Sequence, residues 1–314
     1  RGLTIEGPEY ETLAMTGSNC GIDDLGAIVK FNDLCDNYGL DTISSGNITA
    51  FLMECFEKGI ISKKDMKGLD LSFGSVKGYL EIPRLIAFRD GIGNVLAEGV
   101  KAAAEKIGKE ADQYACHIKG LELPGYDLRS LKTAALGFSV SFRGGCHLRN
   151  GAYSPDVKGK VNRFKIEKGR GKMIMEEGDV YNVIDSLILC KFSRGTYYDG
   201  LNDMAKYYTL ATGIPITAAE LRKAGERIEN LARLVNVREG IGTREHDTLP
   251  YKIMNVPLTD SIANGAVVNN EEFQLGLDDY YEVRGWTKEG IPTIEKLNEL
   301  GLHEFAEITK KGGA

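Results

Sequence analysis

No Cys-x-x-Cys pair occurs in this chain, although it carries six cysteines, at positions 20, 35, 55, 116, 146 and 190. Such scattered thiols exclude a zinc-finger-type site and a disulfide framework. They point to a reducing, cytoplasmic setting in which most cysteines act as small core hydrophobes. No window approaches the roughly 20 apolar residues of a membrane span, so no membrane segment is expected. Neither sign of charge dominates: 39 basic against 45 acidic residues leave a net −6, which gives no general attraction for nucleic acid. Arg1 is no initiator and no signal peptide follows it, so a removed tag or an origin within a longer protein is expected. There is no short-period repeat or low-complexity tract, and strand-like alternation is scarce.

What is present is helical periodicity. At 314 residues the chain has room for two domains, each with its own core. Leu25, Ile28, Val29 and Cys35 recur at helix spacing, and Gly39 is placed to stop that helix. A second helix is expected from about Asn47 to Glu57, ending at Gly59, and Leu96, Val100, Ala103 and Ile107 mark another. Val183, Ile184, Leu187 and Ile188 form an apolar face leading into Cys190. Thr217-Ala-Ala-Glu220 has the pattern of a capping box, and a last helix runs from about Thr293 to Leu300. Tyr79 to Ile82 and Gly137 to Phe142 are the best strand candidates. The Pro/Gly punctuation of Gly120-Leu-Glu-Leu-Pro-Gly-Tyr126 suggests a boundary near Ala115, with domains 1–115 and 116–314.

Four segments concentrate chemistry. Gly7-Pro-Glu-Tyr-Glu11 sets two carboxylates and a phenol beside a rigid turn; alone it reads as a solvated loop entering a helix. Arg143-Gly-Gly-Cys-His147-Leu-Arg149 follows an apolar run, and alone its histidine reads as structural. Asp36-Asn-Tyr-Gly39-Leu40-Asp41 and Asp185-Ser-Leu-Ile188-Leu189-Cys190 share an Asp-x-x-x-Leu core, which alone reads as a helix C-terminus. Taken together, and in this order, they resemble the aldehyde:ferredoxin oxidoreductase family of tungsten enzymes. The likeness extends to Lys119-Gly-Leu-Glu-Leu-Pro and Asn236-Val-Arg-Glu-Gly, and so covers most of the chain.

That resemblance implies an all-α, multihelical architecture corresponding to the two C-terminal domains of the family fold. It implies a bis-pterin centre of tungsten or molybdenum, with Asp36 and Asp185 accepting pterin N–H bonds and Gly39, Leu40, Asp41 and Leu189 completing the contacts. Arg149 falls where the family sets a cation against a pterin. Glu11 is the implied general base, His147 the group that polarises the carbonyl or shuttles a proton, and Tyr10 a donor to a substrate oxygen. Cys190 would be the fourth ligand of a [4Fe-4S] cluster, whose other three thiolates belong to an N-terminal domain upstream of Arg1. The chain by itself is therefore expected to lack the cluster and to be inactive. Cys20, between Ser18-Asn and Gly21, is a further candidate as a direct tungsten ligand, with structural burial as the plainer alternative.

The implied reaction is oxidation of an aldehyde to a carboxylic acid, with electrons passed through the cluster to ferredoxin. Lys158–Lys172, with seven basic residues and one acid, is either a solvated loop or a docking patch for that acidic partner. Two other readings remain. One is a related tungsten–pterin reductase of aromatic acyl-coenzyme A (benzoyl-coenzyme A reductase-like). The other is a non-catalytic helical module that binds a pterin or a partner. Where some members place a Glu-x-x-His for an intersubunit metal, this chain has Val29-Lys-Phe-Asn32, so none is expected here. The metal's identity and the oligomeric state, a homodimer among the options, are left open.

Overall fold

The computed structural model describes residues 5–259 and 262–309; Arg1 lies outside them. The described residues form fifteen α-helical segments, several 3-10 turns and one two-stranded sheet, so the all-α expectation holds. None of these helices is long and apolar enough to cross a membrane. The chain divides into two compact units, residues 1–127 with 249–267, and residues 128–248 with 268–314.

In the first unit, the helices Leu25–Tyr38, Thr42–Glu57, Val76–Ala87 and Val100–Ile107 enclose a core that includes Phe31, Leu52, Met53, Tyr79, Ile82 and Leu96. The Leu25–Tyr38 helix starts and stops as local rules require. Asp24 caps its N-terminus through Ala27 N, and Gly39 takes the left-handed conformation (φ +69°) at its end. The second helix begins at Thr42 rather than Asn47, because Asp41 supplies an N-cap by accepting from Ser44 N at 2.7 Å. The expected helix through Leu96 and Ile107 is two pieces, Gly93–Leu96 and Val100–Ile107, broken at Gly99.

The strand expected at Tyr79–Ile82 lies within the Val76–Ala87 helix. Four residues are too few to separate a period of two from one of 3.6, and Tyr79, Ile82 and Ile86 all face the core. The expected boundary near Ala115 also shifts. Asn47 Nδ2 donates to Cys116 O and Leu123 O, and Glu122 accepts from Ser44 Oγ and Val100 N. These bonds tie the His117–Ile118/Leu121–Glu122 hairpin to the first unit's helices. Residues 249–267 return to the same unit, where Lys252 pairs with Glu54.

In the second unit, the long helices Arg170–Ser186, Ala218–Arg238 and Asn270–Arg284 pack together, with Lys132–Val140 among them. The Thr217 capping box forms as the sequence predicts. Gly137–Phe142, expected as a strand, instead belongs largely to the Lys132–Val140 helix. Every residue of that helix is buried, so no polar face betrays its period, and Ser139 Oγ satisfies itself on Leu136 O. Buried ion pairs fasten the bundle. Arg233 grips Asp247 through two bonds of 2.9 and 2.8 Å, and Arg284 donates to Asp179 at 2.6 Å. Charges this deep are tolerable only when paired.

Candidate active site

The Gly7–Glu11 turn leads into a short helix, Tyr10–Thr12, that runs straight into a π-helical turn, Leu13–Gly17. Such π turns recur at functional sites. Glu11 is buried at 8 % exposure, and its Oε2 accepts from Gly125 N at 2.7 Å. Burial raises its pKa, opposed by the Gly125 bond and reinforced by the charges of Asp41 and Glu9. Tyr10 is exposed, and its hydroxyl donates to the Gly125 carbonyl at 2.6 Å. The donation expected toward a substrate oxygen is thus made to the backbone. One peptide unit, at Gly125, holds both side chains. A Cβ there would meet Ala14 Cβ at 2.7 Å and Glu11 Oε2 at 3.3 Å, so glycine is what permits the approach.

The first Asp-x-x-x-Leu segment is a helix-ending turn. Leu40 N donates to Cys35 O at 2.9 Å and Gly39 N to Asp36 O at 3.4 Å, the hydrogen-bond pattern of a Schellman motif. Asp36 is exposed and accepts from Asn32 Nδ2 at 2.9 Å. Asp41 is engaged as the next helix's cap. Thr12 Oγ1 and Thr42 Oγ1 stand 2.9 Å apart, which ties the Glu11 turn to this motif within the first unit.

The second unit holds the other candidates. After the Lys132–Val140 helix the chain turns through Gly144 (φ +97°), and Asn236 Nδ2 pins Phe142 O at 2.7 Å. His147 is half-buried on this loop. Burial, and the charges of Lys191 and Arg143, push its pKa down to about 4. The imidazole is therefore neutral through the physiological range. Its ring lies 6.2 Å from that of Tyr153.

The Arg170–Ser186 helix ends in a second turn of the same pattern. Leu189 N donates to Ile184 O at 3.0 Å and Ile188 N to Asp185 O at 3.1 Å. Ile188 occupies the place of Gly39 at φ +57°, and its side chain is 91 % exposed. With Ile188 in the glycine's place the turn still closes, at a local strain of about 1–2 kcal/mol. Asp185 lies between two cations. Arg149 Nη2 approaches Oδ2 at 2.9 Å, and Lys191, which the sequence reading did not single out, pairs with Oδ1. The Arg149 contact is not aligned as a hydrogen bond: Asp185 Oδ2 and Arg149 Nε are both buried without a hydrogen-bond partner. Cys190 follows, exposed, its carbonyl accepting from Tyr198 OH at 3.1 Å.

Two other expectations fare differently. Cys20 is fully buried, its thiol donating to Met15 O and Gly46 O. Burial drives its pKa far up, which keeps it a protonated core thiol and does not fit a metal ligand. The basic segment is not a uniform patch either. Arg170 is buried, its guanidinium on the carbonyls of Asn162 and Lys165, and Arg163 binds Ser130, leaving the lysines exposed. The segment's cations thus divide between fasteners and exposed surface charge, of which Lys172 faces Glu176 at 3.9 Å.

Comparison with known proteins places these features in context. The pattern of the family described as aldehyde ferredoxin oxidoreductase, domains 2 & 3, matches residues 1–302. The tungsten-containing aldehyde ferredoxin oxidoreductase of Pyrococcus horikoshii is 37 % identical over 306 residues, covering 96 % of this chain and 49 % of that protein. Its counterpart from Thermococcus kodakarensis is 36 % identical, covering 97 % and 50 % respectively. The aliphatic sulfonate oxidoreductase, WOR-like subunit, of Pyrococcus furiosus is 30 % identical over 99 % of this chain. Among solved structures, the active-site complex BamBC of benzoyl coenzyme A reductase with 1,5-dienoyl-CoA superposes with a TM-score of 0.74 at 24 % identity. That match covers 99 % of this chain and 52 % of that one, and shows a shared fold. The chain spans about half the length of the curated relatives it matches.

Proposed function

The chain belongs to the aldehyde ferredoxin oxidoreductase family, matching its domains 2 and 3, and on that premise we propose an activity for the intact protein. It oxidises an aldehyde to a carboxylic acid in the cytoplasm, using a tungsten (or molybdenum) bis-pterin centre. Electrons leave through a [4Fe-4S] cluster to ferredoxin. The carrying observation is the pair of matching turns, one per unit, each with a candidate catalytic side chain, Glu11 or His147, in its own unit. The donor set suits pterins. Asp36 is exposed with one bond made, and Asp185 Oδ2 (ion-paired with Arg149 Nη2) and Arg149 Nε, both without a hydrogen-bond partner, offer an acceptor beside a donor, the complement of a pterin edge.

In this reading Asp36 and Asp185 accept pterin N–H bonds, and Leu40 and Leu189 offer main-chain groups. Arg149 contributes charge and a donor, and Cys190 one of four cluster thiolates. An N-terminal domain outside this chain supplies the other three. When bound, the metal supplies the two-electron acceptor. Glu11, its pKa raised by burial, takes the proton from the water that adds to the carbonyl carbon. His147, neutral, donates a hydrogen bond to the carbonyl oxygen as negative charge develops there. Aldehyde and water become acid, two protons and two electrons.

The test is Glu11→Gln in the metal-loaded protein, assayed with short and aromatic aldehydes and, as a control, an aromatic acyl-coenzyme A. Turnover of aldehyde should fall by about 10²–10⁴-fold, the usual worth of a general base, with tungsten content unchanged. Loss of tungsten from the variant would make Glu11 structural. Turnover of only the acyl-coenzyme A by the unaltered protein would assign the reductase reading, and turnover of neither would leave a binding module.

A further inference from the structure

A cavity of about 730 Å³ opens in the second unit, within the range that holds small ligands. Its walls are the Tyr153–Val157 helix with the lysines behind it, the Met173–Val180 face of the long helix, and the segment following Cys190. None of His147, Arg149, Asp185, Leu189 or Cys190 lines it. The charge of the lining is uneven. Lys191 is taken by Asp185, and Glu176 faces Lys172 at 3.9 Å. Lys158, Lys160, Arg194 and Arg222 remain, with no ion pair among the described residues, against the carboxylates of Glu177 and Asp199. Arg222 donates only to the carbonyl of Glu176, and Arg194 lies over the Tyr181 ring at 4.6 Å with Nε on Lys191 O.

In a chain of net charge −6, four cations left unpaired around one hollow are a local reversal of sign. Guanidinium and ammonium groups without carboxylate partners recognise multivalent oxyanions, phosphate above all. Phe192, 89 % exposed, also lines the cavity, as do Met173 and Met204. An exposed phenyl ring at the edge of a basic cavity offers a stacking face to a planar aromatic group. We propose that this cavity binds a small phosphorylated ligand carrying an aromatic ring, of the chemical class of nucleotides. Lys158, Lys160 and Arg194 meet the phosphates and Phe192 stacks on the ring. The site goes beyond the aldehyde chemistry and does not depend on it.

Calorimetric titration of ADP, AMP and pyrophosphate into the full-length protein tests this. ADP should bind, and more weakly as salt rises. The Lys158→Ala/Lys160→Ala double variant should weaken ADP and pyrophosphate alike, by about ten-fold, the worth of a charge-assisted hydrogen bond. Phe192→Ala should weaken ADP and AMP by about ten-fold, the worth of one base stack, and leave pyrophosphate unchanged. All three side chains are exposed, so these variants should fold as the parent does, with an unchanged thermal melt as the check. Three results would overturn the proposal: no ADP binding at millimolar concentration, as when other parts of the protein cover the cavity; affinity indifferent to the lysines; or pyrophosphate binding as tightly as ADP with Phe192→Ala changing neither.

Discussion

The two Asp-x-x-x-Leu turns share a backbone and differ in almost everything else. Each closes a helix with the same pair of hydrogen bonds, yet one uses Gly39 at the left-handed position and the other Ile188. The first aspartate is exposed and leans on a neutral amide, Asn32; the second is held between Arg149 and Lys191. Beside the first sits a carboxylate whose pKa burial raises, and beside the second an imidazole that burial and two cations keep neutral. Turn geometry is thus a property of hydrogen-bond closure that several residues satisfy. The electrostatic character of each turn comes from neighbours the motif does not contain.

The largest effect that would break this comparison lies in the pH profile. Glu11 must be ionised to accept a proton, and its folded-state pKa lies above the ordinary value, so activity should rise with pH through that raised pKa and then level. Below it the rate should fall about ten-fold per pH unit, a hundred-fold over two units. His147 stays neutral down to about pH 4 and should add no second acid-side step near 6.5. A step there that disappears in His147→Gln would show that the second turn titrates after all.

Next in size is the clamp on Asp185. Lys191→Met removes one of its two cations and should destabilise the protein by about 2 kcal/mol, the worth of a hydrogen bond to a charged group. Asn32→Ala at the first turn removes a neutral donor from an exposed carboxylate and should cost about 0.5–1 kcal/mol. Urea midpoints for the pair check the order, and equal losses would erase the distinction. Smaller still is the exchange of the left-handed residues. Gly39→Ala forces a Cβ into φ +69° and should cost about 1 kcal/mol, while Ile188→Gly relieves strain of the same origin and should stabilise by up to about 1 kcal/mol. Opposite signs in thermal melts sharpen the view that one turn is relaxed and the other strained.

Much of this was readable from residues whose effect is local. Gly39 stops a helix, Thr217 and Glu220 cap one, and the paired motifs mark two turns, because each depends on neighbours three to six positions away. What escaped depends on distance or on burial. Gly125 holds Glu11 and Tyr10 from far along the chain, and nothing in Leu-Pro-Gly-Tyr announces that contact. The mistaken strand at Tyr79–Ile82 is too short a window to separate the two periods, and the one at Gly137–Phe142 lies largely in a helix buried on all sides, where sequence loses the polar face that reveals a period. Lys191 is the omission that could have been avoided. A turn that reverses the chain after Ser186 carries the residue following Cys190 back toward Asp185, so a cation at that spacing is itself a signal.

The central claim is that each turn receives one pterin. Anomalous diffraction at the tungsten edge from crystals of the intact, metal-loaded protein tests it most directly. The expected density shows two pterins on one metal, one edge bonded to Asp36 and the other to Asp185 with Arg149 Nε alongside. A metal centre that leaves either aspartate without a pterin contact would contradict it.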